Sequence, residues 1–94
     1  MSDTATASRD LLIINRKGLH ARATAKFVHC VESHDAEVRV TRSGETVGGL
    51  SIMGILTLGA AQGCTITVEA TGPDAERVVS ALAELLANRF GEDE

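Results

Sequence analysis

The 94-residue sequence contains no tryptophan and no tyrosine, and its two phenylalanines are Phe27 and Phe90. It therefore offers no stacking platform for single-stranded nucleic acid, which lays successive bases on aromatic faces. The formal net charge of −4 excludes a general nucleic-acid binder on separate grounds, because contact with phosphates needs a basic footprint. Long apolar runs are also missing: none approaches the roughly 18–20 residues that cross a bilayer. Neither nucleic acid nor a membrane is an expected partner. Cysteine is scarce, and Cys30 and Cys64 stand far apart with no CxxC or paired metal spacing. They are expected to be small buried hydrophobes in a reducing cytosol. The polar segment Met1 to Asp10 lacks the basic-then-apolar pattern of a signal peptide. The expected location is cytoplasmic.

A length of 94 residues fits one domain, and a hydrophobic share of 44% is enough for a two-layer core with little left to enclose a deep cleft. The acidic average hides a local reversal. From Leu11 to Val31 there is no acidic residue, yet Arg16, Lys17, Arg22 and Lys26 all fall there, with His20 among them. Acids gather instead at the other end, in Glu84, Glu92, Asp93 and Glu94. The asymmetry points to an anion site on an otherwise acidic protein.

Residues 1–9 read as a flexible tail. The apolar run Leu11-Leu12-Ile13-Ile14 predicts a strand. A loop from Asn15 to Leu19 follows, then a helix from about His20 to Ser33 with Ala23, Phe27 and Val31 in its buried stripe and Cys30 beside them. Ala36, Val38 and Val40 alternate with polar residues as a half-buried strand, and the turn Ser43-Gly44 returns the chain over Glu45 to Gly48. Ser51 is placed to cap a short helix within Leu50 to Leu58, where Gly54 lowers helix propensity. Cys64, Ile66, Val68 and Ala70 mark a further strand. Pro73, Asp74 and Glu76 suit the first turn of a last helix, whose core stripe is Val78, Val79, Leu82, Leu85 and Leu86 and which Gly91 ends. The order β-α-β-β-α-β-α predicts an α+β open-faced β-sandwich: a four-stranded, mainly antiparallel sheet covered on one face by two long helices and one short helix.

His20 lies where a loop enters a helix, and the backbone N–H groups at such a start are unsatisfied. With the helix dipole they form a ready anion site. Arg22 adds a guanidinium that can grip phosphoryl oxygens bidentately. An imidazole ordinarily titrates near pH ~6.5, so its neutral, nucleophilic form is available in a cell. Local chemistry leaves two readings open, a phosphoryl-accepting histidine and an ordinary surface or capping histidine. A metal reading is weaker: His20 and His29, nine residues apart, fall on roughly opposite helix faces, and the Cys30/His34 pair has no second pair. No metal and no cofactor are expected.

The segment Gly18-Leu19-His20-Ala21-Arg22, followed by Ala25-Lys26-Phe27-Val28, resembles the active-site segment of HPr, the histidine phosphocarrier of the bacterial phosphotransferase system. Ser51-Ile52-Met53-Gly54, with Leu58-Gly59-Ala60 and Gly63 downstream, resembles the regulatory serine segment of the same family. Gly72-Pro73-Asp74-Ala75-Glu76 and Phe90-Gly91-Glu92 are also similar, so the likeness runs in one register over residues 11–92. It departs at Ala23, where the family commonly has proline, and at Gly48-Gly49-Leu50, where Asn-Ala-Lys is common.

The resemblance implies a phosphoryl carrier without turnover of its own. Enzyme I, charged from phosphoenolpyruvate, would phosphorylate His20 at Nδ1, and an enzyme IIA-type acceptor would take the group on. It implies Arg22 as the stabilising arginine, Ile52, Met53 and Leu56 as an apolar docking patch, and Ser51 as a target of an HPr kinase/phosphorylase. It divides the chain into the tail 1–9, one HPr-like domain over 10–91 and an acidic tail 92–94. A carrier that presents His20 to several partners is expected to be a monomer. The rival readings are a regulatory binding module of the same fold and a small metal or redox protein using the cysteines and histidines.

Overall fold

The computed structural model describes residues 5–92. Four strands and three helices follow one another as β1 (Thr6–Leu12), α1 (Ala21–Glu32), β2 (Glu37–Arg42), β3 (Glu45–Gly48), α2 (Ile52–Thr57), β4 (Thr65–Thr71) and α3 (Ala75–Ala87), with a closing 3-10 turn at Arg89–Gly91. The strands lie in the order β1-β4-β2-β3, and every pair is antiparallel. This is the expected open-faced α+β sandwich.

Alternation along the strands decides which face is covered. Val40 sits opposite both Val68 and Val47, Val38 opposite Ala70, and Leu11 opposite Ile66. Apart from half-buried Val47, these side chains are buried under the helices. The other face is polar: Arg39 Nε donates to Glu69 (3.2 Å) and Arg39 Nη2 to Thr71 (3.1 Å), while Thr67 donates to Asp10 (2.7 Å). The helices add Phe27, Val28 and Val31 from α1, Ile55 from α2 and Val78, Val79, Leu82 and Leu86 from α3. Leu85, expected in the core stripe, is only half-buried.

The two ends differ from expectation. The first strand begins at Thr6 and stops at Leu12, so residues 6–9 are not a tail; they pair from Thr6↔Thr71 to Arg9↔Val68. A polar edge strand is held by its ladder rather than by an apolar pattern, and Arg9 breaks the alternation between Ala7 and Leu11. Residues 1–4 of the expected tail lie outside the described residues, as do 93–94 of the acidic one. At the other end α3 stops at Ala87, four residues before Gly91. Arg89, Phe90 and Gly91 then take left-handed backbone angles (φ 54°, 56° and 77°), and Phe90 returns to the core. That turn brings Glu92 back to the rest of the molecule, so it is not part of a tail. Pro73 precedes the last helix rather than opening it, since Asp74 is the residue before its first turn.

Both cysteines are half-buried and free. Arg42 donates to Cys64 Sγ (3.3 Å), a polar contact unlike the apolar packing expected.

Candidate functional site

α1 starts where Gly18 (φ 65°) turns the loop and Leu19 N donates to Ala60 O (2.9 Å). Leu19 is buried and His20 takes an extended conformation (φ −76°, ψ 179°), which halts the helix at Ala21. The carbonyl of His20 accepts the first helical bond, from Thr24 N (2.8 Å), but its side chain caps nothing. The N–H groups of Ala21, Arg22 and Ala23 consequently have no helical acceptor and no side-chain cap. Nor is there an acid in the first turn to occupy them. Ala23 keeps an N–H that a proline there would lack.

His20, Arg22, Arg16, Lys17 and Lys26 line one shallow open depression together with Ala21, Gly91 and Glu92. The structure thus brings His20, Arg22 and the basic island of the sequence to one place. The His20 side chain is 28% exposed. Its Nε2 hydrogen-bonds Glu92 Oε2, and Glu92 Oε1 accepts from Asn15 Nδ2 (3.0 Å). Asn15 and Glu92 were not singled out in the sequence as site residues.

The Glu92 carboxyl is held below its ordinary range chiefly by the hydrogen bond from His20. Desolvation opposes the shift, while the Asn15 hydrogen bond and the charges of His20 and Lys17 assist it. Arg16, Arg22 and Lys26 also face the depression. A carboxyl whose value falls on folding adds stability above its unfolded value, about 4.3, and loses it as pH drops through the folded value. The gap in thermal midpoint between wild type and Glu92→Gln is therefore expected to be open above pH about 4.3 and to close on further acidification. A gap unchanged between about pH 6 and pH 3 would show that the contact does not form in solution.

Ser51, Ile52, Met53 and Leu56 do not line this depression; Ser51 caps α2 and the other three lie within it, and α2 packs beside α1. Ser51 Oγ accepts from Gly54 N (3.0 Å), the cap expected of it. A Cβ on Gly54 would lie 2.8 Å from Ser51 Oγ and 3.0 Å from Val47 Cβ, so glycine is needed there for close approach despite its poor helix propensity. Met53 (71% exposed) and Ile52 (43%) present apolar surface, whereas Leu56 is half-buried. Leu50, 59% exposed, extends that surface and was not singled out in the sequence. His29 and His34 are elsewhere, His29 beside Glu32 (3.4 Å) and His34 Nδ1 against Cys30 O (2.8 Å). Among the described residues no three potential ligands gather around a metal position, and no helix is long and apolar enough to cross a membrane.

An open-faced α+β sandwich that offers an imidazole at an uncapped helix start, among cationic side chains and outside any closed cleft, has the build of a small phosphoryl carrier. Comparison with known proteins agrees. The profile of the PTS HPr component phosphorylation site matches residues 7–88. The chain is 46% identical over 86 residues to phosphocarrier protein HPr of Cupriavidus necator, covering 92% of this chain and 97% of that one. Against the HPr of Neisseria meningitidis the identity is 44% over 82 residues, covering 87% and 92%. The crystal structure of HPr-C-His from Thermoanaerobacter tengcongensis superposes with a TM-score of 0.90 at 35% identity, covering 94% of this chain and 99% of that one. The chain belongs to the HPr family, the phosphocarriers of the phosphotransferase system, whose members are not enzymes in their own right.

Proposed function

We propose that the chain is a cytoplasmic carrier that accepts a phosphoryl group on His20 from phospho-enzyme I and passes it to an enzyme IIA-type acceptor. The observation that carries this reading is the placement of the imidazole. It stands at the start of α1, where the first three N–H groups have no helical acceptor and no cap from the His20 side chain, in a depression lined by Arg16, Lys17, Arg22 and Lys26. Arg22 and the helix start supply charge and donors for a dianionic phosphoryl group. The depression is open, so a partner protein can reach the group and remove it. A hydrolase would need a closed pocket around the group.

The test is to incubate the protein with phosphoenolpyruvate and enzyme I and to map the label by mass spectrometry. Acid-labile, base-stable phosphate on His20, lost on adding a IIA-type protein, is expected. No label, or a label mapped to another residue, would overturn the reading.

Ser51 is proposed as a regulatory phosphorylation site for an HPr kinase/phosphorylase, and Leu50, Ile52, Met53 and Leu56 as apolar surface on which enzyme I and the acceptor dock. Ser51 is exposed and already accepts from Gly54 N, so negative charge there meets the positive end of α2 and leaves the helix intact. It also sets a charge next to the apolar side chains a partner must desolvate. Ser51→Asp, which keeps a capping carboxylate, should therefore melt like wild type yet take phosphate from enzyme I about tenfold more slowly, mostly through weaker docking. A wild-type rate would remove Ser51 from any inhibitory role.

A further inference from the structure

We propose that Glu92, held by Asn15, is a positioning residue that fixes His20 as its Nε2–H tautomer and so reserves Nδ1 for the phosphoryl group. The inference rests on the carrier reading above and concerns how the same site is prepared. An ionised carboxylate only accepts hydrogen bonds. With Glu92 Oε2 against Nε2, the ring proton must sit on Nε2, and the lone pair of the neutral imidazole is left on Nδ1. Among the described residues nothing engages Nδ1.

Two features hold the carboxylate there. Asn15 is fully buried, and its Nδ2 donates both to Gly18 O (2.9 Å) and to Glu92 Oε1 (3.0 Å). Turning the amide over would set its oxygen against two acceptors, so its orientation follows from the chemistry. Asn15 Oδ1 has no partner among the described residues. A buried unsatisfied acceptor is destabilising, so stability alone does not account for an asparagine here; the two bonds its Nδ2 makes do.

The second feature is the chain leading to Glu92. Arg89, Phe90 and Gly91 are left-handed in succession, although L-residues usually visit that region singly. Buried Phe90 and the bond from Lys26 Nζ to Phe90 O pin the turn. Asn15 and Glu92 thus form a relay from the loop that carries Gly18 to the histidine that follows it. The arrangement has the logic of a carboxylate that orients a catalytic histidine through its far nitrogen.

The transfer balances without moving a proton. The Nδ1 lone pair attacks the phosphorus of a phosphohistidine donor. The Nδ1–P bond forms as the donor N–P bond breaks, its electron pair returning to the donor ring. His20 becomes a phosphoimidazolium that retains the Nε2 proton, and its new positive charge faces the Glu92 carboxylate. When the group is handed on, the Nδ1–P electron pair returns to Nδ1 and the ring is again the neutral Nε2–H form.

The test uses full-length protein labelled with 15N-histidine, compared as wild type, Glu92→Ala and Glu92→Gln. Long-range 1H–15N spectra at neutral pH should show one Nε2–H tautomer for His20 in wild type and a mixture in Glu92→Ala. Glu92→Gln should recover the wild-type pattern in part, because its side-chain carbonyl still accepts. Phosphoryl uptake from phospho-enzyme I should fall about tenfold in Glu92→Ala, the scale of one charge-assisted hydrogen bond, and less in Glu92→Gln. Wild-type ring shifts in Glu92→Ala would overturn the proposal, as would altered shifts with an unchanged rate. A wild-type protein that takes up no phosphate defeats the carrier reading instead, and the ring spectra still decide the tautomer. If Glu92→Ala does not fold, Glu92→Gln supplies both readouts: ring shifts and rate identical to wild type would count against any need for the charge.

Discussion

His20→Ala is expected to take no phosphoryl group from phospho-enzyme I, a loss of about 10³-fold or more, because the nucleophile itself is gone. The fold should survive. His20 serves α1 through its backbone, whose extended conformation and carbonyl alanine reproduces, and its side chain makes no cap. The bond to Glu92 is lost, but that carboxylate lines an open depression and regains water, so the change in stability should be about 1 kcal/mol or less. The remaining histidines are the internal control. His29 is largely exposed and lies beside Glu32, and His34 Nδ1 donates to Cys30 O; neither lines the basic depression. His29→Ala should label like wild type. Label retained in His20→Ala, at a melting temperature close to wild type, would remove His20 from the reaction.

The parts of this molecule that a local pattern specifies were legible in the sequence. β3 matches its expected span, Glu45–Gly48, because a Ser-Gly turn fixes where the hairpin returns. α1 begins one residue after the histidine and ends at Glu32, and Ser51 caps α2 as its residue type and place suggest. The core stripes of α1 and α3 were legible for the same reason: a helix of more than three turns shows its buried face at a spacing of three to four. β1 was not legible over residues 6–9. Thr6, Ser8, Arg9 and Asp10 carry no apolar signal, and what makes them a strand is a partner about sixty residues away in β4. Edge-strand ladders of this kind are written in the partner as much as in the strand.

The site divides along the same line. His20 and Arg22 share one short motif, so both could be found by inspection. Glu92 contacts His20 across 72 positions, and Asn15 contacts Glu92 across 77. No helical or strand period links residues that far apart. Glu92 sits among acids at the end of the sequence, where it reads as a solubilising tail. The signal available was the aromatic two residues before it: Phe90 is one of two in the chain, and a lone aromatic beyond the end of a helix invites burial. Burying Phe90 reverses the chain and delivers Glu92 to the depression.

Gly18→Ala is expected to destabilise the protein by about 3 kcal/mol or more and to lower its thermal midpoint by roughly 15 °C. Two effects add. Gly18 has φ +65°, where an L-side chain costs on the order of 1 kcal/mol. The larger effect is steric: a Cβ would lie 2.6 Å from Ala60 O and 2.8 Å from Ala61 Cα, and neither is a side-chain end that can swing aside. Relief requires the Asn15–Leu19 loop to separate from the 60–61 backbone, which breaks the bond from Leu19 N to Ala60 O. It also displaces Gly18 O, the acceptor that shares Asn15 Nδ2 with Glu92. His20, two residues on, would then enter α1 from a shifted loop, so phosphoryl uptake should fall even at a temperature where the variant is folded. Gly44→Ala separates the two effects. Its φ is +82°, but a Cβ there meets nothing within 4 Å, so it should show only the backbone strain, about 1 kcal/mol, with an unaltered rate of uptake. Denaturant unfolding of both variants measures the difference. Equal losses of stability would mean that Gly18 is needed only for its backbone angle and that the contact with the 60–61 backbone yields freely.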